Sequence, residues 1–390
     1  MLQPLVVGLG RSGSGLHLRT LSRLAGRSRT PGDDALVALP AVGCDPRAGL
    51  LRLTAPADEV TVVTSLEQAL DHVDPATTVT HVCTPPRQRY TLVEQLARHG
   101  LRRVILEKPL AGSREELDAL VRLRDEADLH LVAVAHWTTS RLAHRLRRIV
   151  RDGRLGPLRR ITVDQHKPRF LRSLTTDGHR SALDVEIPHS LALALDLAGP
   201  ADLRAAHCWD LRCEDRELPG MGGARLELEH RSGVTTLLRS DLGAPVRQRS
   251  VVCEFDGGTA TAHFPLSEDD DHAQMVVTPF DGDAPPPVGG DAHPPSGGDT
   301  HPPCGGDPRL PFGGGVPAPA GVPAAEDAYG PGRHVFRDDA LTDFLAAAYR
   351  GFAAEEADTA NFSLACATAR LLCEARDHCA TTAPACAGSR

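Results

Sequence analysis

The sequence predicts an α/β protein in two parts, a doubly wound parallel sheet followed by an α+β domain with a mostly antiparallel open sheet. Three observations carry this expectation. Over the first 135 residues apolar runs alternate with amphipathic stretches, the rhythm of parallel strands with helices on both faces. Beyond residue 197 the chain reads as strands with period-two alternation. With 390 residues, against about 150 per domain, two domains fit better than one.

In order, Pro4–Gly8 is expected as a strand, Leu16–Leu24 as a helix and Ala35–Cys44 as a strand. Leu66–His72, Tyr90–His99 and Arg114–Ala127 are helices that alternate with the strands Val79–Cys83, Arg103–Glu107 and Leu129–Ala135. A basic helix Ser140–Val150 leads to a strand Arg159–Val163, a loop and an apolar helix His189–Leu197. Leu203–Trp209, Ala224–His230, Val234–Arg239, Ser250–Phe255 and Thr259–Phe264 alternate as antiparallel strands do. Helices Asp338–Tyr349 and Asn361–Ala375 close the chain, and Glu268–Asp271 reads as a solvated loop. Between Pro285 and Pro323, 22 of 39 residues are Gly or Pro, with the near-repeat PPVGGDAH, PPSGGDTH, PPCGGDPR. Such a stretch forms no packed core and suits a disordered or polyproline-like insert. The domains are therefore set at 1–135 and 136–390, with the insert at about 284–325.

Composition removes several function classes. Asp and Glu outnumber Lys and Arg by 51 to 43, and only 14 residues are aromatic, which argues against a nucleic-acid groove with its basic surface and stacking rings. No apolar run approaches the ~20 residues that span a bilayer, and no secretory signal precedes the first strand, so a cytoplasmic protein is expected. The ten cysteines include no Cys-x-x-Cys pair and read as reduced thiols. The spacing of Cys366, Cys373, Cys379 and Cys386 suits one side of a helix and its tail better than zinc, so no metal is expected.

Of the 43 basic residues 41 are Arg, leaving Lys108 and Lys167; Asn occurs once and Ile four times. Under such a bias a surface cation drifts to Arg. A lysine that survives is informative, because Lys can lose its proton near neutral pH when desolvated and Arg cannot.

The opening V-V-G-L-G-R-S-G places Gly8, Gly10 and Gly13 after a strand and before a helix. Gly allows the tight turn and the approach of a pyrophosphate, and the helix N-terminus attracts the anion, so Arg11 and Ser12 join the glycines as candidate cofactor contacts. Asp45, at the end of the next strand, would hold the ribose hydroxyls. Its distance from Gly13 exceeds the usual ~20 residues, which fits a surface insertion around 26–34. Asp45 favours NAD, while Arg47, two residues on, would allow NADP.

With G-L-G-R-S-G at 8–13, C-T-P-P at 83–86 and E-K-P-L-A at 107–111, the chain resembles the Gfo/Idh/MocA oxidoreductases. The resemblance implies a Rossmann domain followed by a substrate domain, NAD or NADP as cofactor, and a homodimer or homotetramer built on the open face of the second sheet. Its members mostly oxidise or reduce a secondary alcohol or ketone on a sugar, inositol or related polyol. By the same resemblance Lys108 lies at the nicotinamide and the reacting hydroxyl, Thr84 and Pro85 line the cofactor, and Glu107 flanks it. His189, at the head of D-V-E-I-P-H-S-L-A-L-A-L-D-L-A-G, falls on the family's catalytic histidine. The family's Asp four residues earlier is Val185 here, with carboxylates at Asp184 and Glu186 instead, and Arg89 replaces a usual His.

The loop D-Q-H-K-P-R-F-L-R followed by T-D-G-H-R offers Lys167, Arg169, His179 and Arg180 to an anionic or highly hydroxylated substrate. Asp184 and Glu186 complete the candidate substrate contacts. Trp137 is expected to pack in the core. The expected activity is hydride transfer on a polyol or sugar, with Lys108 and His189 handling the hydroxyl proton. Two alternatives remain: redox-neutral chemistry in the same site, as in relatives that epimerise sugars or cleave glycosides, and a ligand-sensing regulator without catalysis.

Overall fold

The computed structural model describes residues 1–27, 36–47, 56–175, 179–266, 270–280 and 330–382. The Gly/Pro-rich stretch and most of the insertion around 26–34 lie outside the described residues. Strands Gln3–Val7 (β1), Ala41–Cys44 (β2), Val60–Val63 (β3), Thr78–Val82 (β4), Arg103–Leu106 (β5) and His130–Ala133 (β6) form a parallel sheet ordered β3-β2-β1-β4-β5-β6. Order reverses between β1 and β4, and ligands of open α/β sheets bind outside the carboxyl ends of the strands at such a point. Arg19–Arg27 (α1), Leu66–Leu70 (α2), Pro86–Arg98 (α3) and Arg114–Glu126 (α4) connect the strands. Local chemistry starts them: Pro86 opens α3 where a missing N–H costs nothing, and Ser113 accepts from Glu116 N at 3.2 Å to cap α4.

Arg141–Asp152 (α5) crosses to the second sheet, whose strands are Leu158–His166 (β7), Ala201–Cys213 (β8), Arg216–His230 (β9), Thr235–Asp241 (β10), Gln248–Phe255 (β11), Gly258–His263 (β12), His272–Pro279 (β13) and Gly332–Arg337 (β14). Their order is β14-β13-β12-β11-β7-β10-β9-β8, antiparallel except where β7 runs parallel to β10. Phe170–Thr175 (α6) follows β7, and Ile187–Ala198 (α7), apolar on nearly every side, is buried between sheet and helices.

Several elements differ from the sequence expectation. The strand expected at Ala35–Cys44 is only Ala41–Cys44, with an isolated bridge from Val37 to Leu2, because Pro40 interrupts the ladder. The helix expected from Leu16 begins instead as a π-turn at Gly13–Leu18 that passes into α1. β3, β13, β14 and α6 are additional; β13 and β14 flank the Gly/Pro-rich stretch that masks their pairing in sequence.

The last helices, Ala340–Ala353 (α8) and Thr359–Thr382 (α9), return to the first sheet. Phe344, Leu345, Tyr349 and Phe352 join the core formed by Val6, Leu21 and Ile105. Phe362, Ala365, Cys366 and Ala369 enter the core on the other face, whereas Leu371, Leu372 and Ala375 pack under the second sheet. Asn361, the only Asn in the sequence, pairs with both backbone groups of Ala133 at 2.8 and 3.1 Å, and so occupies the open edge of β6. Residues of α8 and α9 thus belong to the cores on both faces of the first sheet. Tyr349→Ala, which empties a fully buried position of the first core, should lower stability by about 4 kcal/mol in urea unfolding.

Candidate active site

A cleft of about 1740 Å³ runs from the glycine turn after β1 to the face of the second sheet. At its nucleotide end the backbone makes room. Gly8 has φ +91°, and a Cβ there would press on the Cys83–Thr84 peptide; a Cβ on Gly13 would collide with Gly8 O. Gly10 lines the cleft with open space above its Cα. Thr84 Oγ1 is buried with no hydrogen-bond partner among the described residues, and Pro85 and Arg11 line the same wall. A glycine cradle, the start of the π-turn and an orphaned hydroxyl fit a dinucleotide.

Asp45 closes this end. Its carboxylate accepts from Leu9 N at 2.9 Å, from Arg47 N at 2.9 Å and from the Arg47 guanidinium at two positions, both 3.1 Å. Burial works against ionisation, but the Arg47 bonds hold the carboxyl below its ordinary range.

Glu107 is the hub beneath the cradle. Its Oε1 receives the Ser12 hydroxyl and His17 Nε2, the latter at 3.1 Å, and its Oε2 receives Lys108 N at 3.1 Å. Burial alone would neutralise it, yet His17, Ser12 and Lys108 drive its carboxyl far below the usual range. His17 Nδ1 meets His81 Nδ1 at 2.7 Å, and His81 Nε2 meets the Tyr349 hydroxyl at 2.9 Å. Burial opposes charge on His17, but Cys83 and Glu107 raise its pKa to about 10, whereas burial and the His17 charge push His81 well down. With its pKa raised, cationic His17 donates to Glu107 and His81, and neutral His81 donates to Tyr349. Ser12 and Glu107 thus join the cradle to Lys108 and have their polar atoms engaged by the protein.

Lys108, two residues after β5, sends Nζ across the cleft to Val185 O at 2.7 Å and Asp184 O at 3.5 Å. Burial pushes its ammonium down to about 8, against Glu107 and Asp184. Arg89 is buried and donates to the carbonyls of Thr84 at 3.1 Å, Lys108 at 3.3 Å and Pro109, so it clamps the loops after β4 and β5 together.

His189, on the first turn of α7, faces His136 with ring centroids 4.6 Å apart. Burial and then His136 and Lys108 push its pKa well down, so it is neutral near pH 7. Trp137 stacks on Phe264 at 4.0 Å and is nearly fully buried, as expected of core, while its other neighbour is His189 at 5.9 Å. Glu186 joins Lys167 and Gln165 on the cleft wall, with Arg169 and His179 beside them.

Two expected substrate contacts lie elsewhere. Asp184 is buried in a two-pronged pair with Arg376 of α9 at 2.7 and 3.1 Å, and Arg180 reaches Gly112 O at 3.4 Å; neither lines the cleft. Asp184 is spent on holding the 184–185 carbonyls that receive Lys108. Sequence reasoning marked Arg89 only as a departure from the family pattern, and missed His17, His81 and Arg376. For Arg376, 192 residues from its partner, no local pattern exists; the two histidines differ, because both fall in strand or helix positions that should be apolar.

Residues 2–136 match the model of the Gfo/Idh/MocA oxidoreductase family, NAD-binding Rossmann fold. No curated protein sequence matches the chain. Among solved structures, the 3-ketoreductase KijD10 from Actinomadura kijaniata in complex with NADP and TDP-benzene is similar, with TM-score 0.70 and 14% identity over 97% of each chain. An oxidoreductase from Agrobacterium radiobacter in complex with NAD+, L-tartaric acid and magnesium gives 0.66 and 13%, covering 98% of this chain and 97% of the other. An NAD-binding oxidoreductase from Klebsiella pneumoniae gives 0.69 and 16% over 98% of each. At these identities the likeness is one of fold. No helix among the described residues is long and apolar enough to cross a membrane.

Arg376→Met, which strands the buried Asp184 carboxylate, should cost about 3–5 kcal/mol in urea unfolding. Adding Asp184→Asn should restore part of that loss.

Proposed function

We infer that this chain, whose residues 2–136 match the Gfo/Idh/MocA oxidoreductase family model, interconverts a secondary alcohol and a ketone on a sugar, cyclitol or related polyol. The observation that carries the reading is Lys108. It joins the nucleotide cradle, through Glu107, to the opposite wall, through the 184–185 carbonyls, and burial lowers its ammonium to about 8. When bound, the nicotinamide supplies or accepts the hydride. The chain's part is to place the reacting carbon in the cleft and to move the hydroxyl proton. Lys108, with a lowered pKa, and neutral His189 exchange that proton, and the charged form of Lys108 steadies an oxygen that gains negative charge.

Asp45 supports NAD, because its ionised carboxylate would repel a 2′-phosphate. The Arg47 pair offsets that charge and leaves NADP as the weaker partner. Arg169 and Lys167 in the substrate wall support an anionic or highly hydroxylated substrate, in keeping with the nucleotide-linked and dicarboxylate ligands of the similar structures.

Lys108→Met should lower turnover at least ~100-fold on whichever polyol the wild-type protein oxidises, with NADH affinity within about threefold. Full turnover in the folded variant would overturn the reading. In fluorescence titrations Asp45→Ala should weaken NADH about tenfold while NADPH binding holds or improves.

A further inference from the structure

Both lysines of the chain, among 43 basic residues, stand in the cleft. A cation kept there only for its charge has no reason to escape the drift to Arg, and Arg169, Arg172 and Arg249 line the same wall. Lys167 leaves β7 with its N–H held by Asp241 O at 2.9 Å, and its side chain is 17% exposed. Its Nζ meets Oε1 of Glu186, while Gln165 Nε2 donates to Oε2 of the same carboxylate. Glu186 stands immediately before α7 and three residues before His189. A lysine–carboxylate dyad therefore stands in the cleft that His189 also lines, while Asp184 is committed to Arg376.

We propose that Lys167 is a further acid–base residue of this site, governed by Glu186 and retained as lysine because a guanidinium cannot release its proton. The proposal rests on the hydride-transfer reading above. In the oxidative direction the hydroxyl carbon loses its hydride to the nicotinamide and the oxygen loses its proton to the site. That proton, taken up first at Lys108 and His189, passes to the neutral amine of Lys167, which becomes an ammonium paired with Glu186 until water removes it. In the reductive direction the ammonium returns the proton by the same route.

The charged groups that act on Lys167 come from several elements: Glu186 before α7, Lys108 after β5, Arg249 on β11, and Arg169 and Arg172 at α6, while His189 of α7 lines the same cleft. Burial and then the four cations push its ammonium down to about 6, and the Glu186 carboxylate opposes them.

Because the chain has two lysines, protein made with ¹³C-lysine gives two Cε resonances, which Lys167→Arg assigns. On the wild-type protein the Lys167 signal should titrate below pH ~9, against about 10.4 for an ordinary lysine. Glu186→Gln should move the midpoint lower still, since the carboxylate favours the ammonium. With a panel of myo-inositol, D-glucose and D-glucose 6-phosphate, Lys167→Arg should lose more than ~10-fold in kcat at unchanged NADH affinity. A midpoint above pH ~9, one that ignores Glu186→Gln, or a kcat within ~10-fold in Lys167→Arg overturns the proposal. Full turnover in Lys108→Met would instead remove the hydride-transfer reading, and leaves the Lys167 titration to be judged separately.

Discussion

The ionised carboxylate of Glu107, buried where β1, β4 and β5 end, is the constraint on which the rest of the site depends. An unpaired carboxylate at that depth would take up a proton rather than bear the loss of hydration. It stays charged because three donors reach it: a hydroxyl from the glycine turn, an imidazole from the π-turn and the N–H of the next residue. Each donor belongs to a different piece of the site, so the electrostatic requirement of one group fixes the relative positions of turn, helix start and strand end. The extra residue accommodated by the π-turn at Gly13–Leu18 has a local use here, since it puts His17 under the carboxylate.

A second junction mirrors it across the cleft. The segment from Asp184 to His189 receives the Lys108 ammonium on its carbonyls, presents Glu186 to Lys167 and begins the helix that bears His189. Arg376, arriving from the far end of the chain, anchors that segment through Asp184. The cleft is thus cationic inside a chain of net charge −8. A positive concavity with low-dielectric walls draws anionic ligands inward in a way that overall charge would not suggest, and salt should weaken that attraction.

Legibility followed the range of the interaction. The glycine turn, the strand-end Thr84 and Lys108, and the start of α7 are local arrangements, written in neighbouring residues. The apolar rhythm likewise located most strands and helices. Rarity was a second signal: in a composition that drains Lys and Asn, the residues that survive are the two cleft lysines and the Asn that closes the edge of β6. What sequence could not express were pairs distant along the chain, such as His81 with Tyr349 or Asp184 with Arg376. β13 and β14 were missed for a related reason, since they pair across the long Gly/Pro-rich stretch.

The return of α8 and α9 to the first sheet has a temporal side. A ribosome delivers all six parallel strands more than two hundred residues before it delivers Phe344 and Tyr349, the side chains that seal one face of that sheet. During synthesis the nucleotide-binding half must wait with apolar surface open to water, at the stage when nascent chains most need chaperones. A chain interrupted before α8 would present its glycine cradle on a sheet lined on that face, among the described helices, by α1 alone, without Phe344, Leu345, Tyr349 and Phe352.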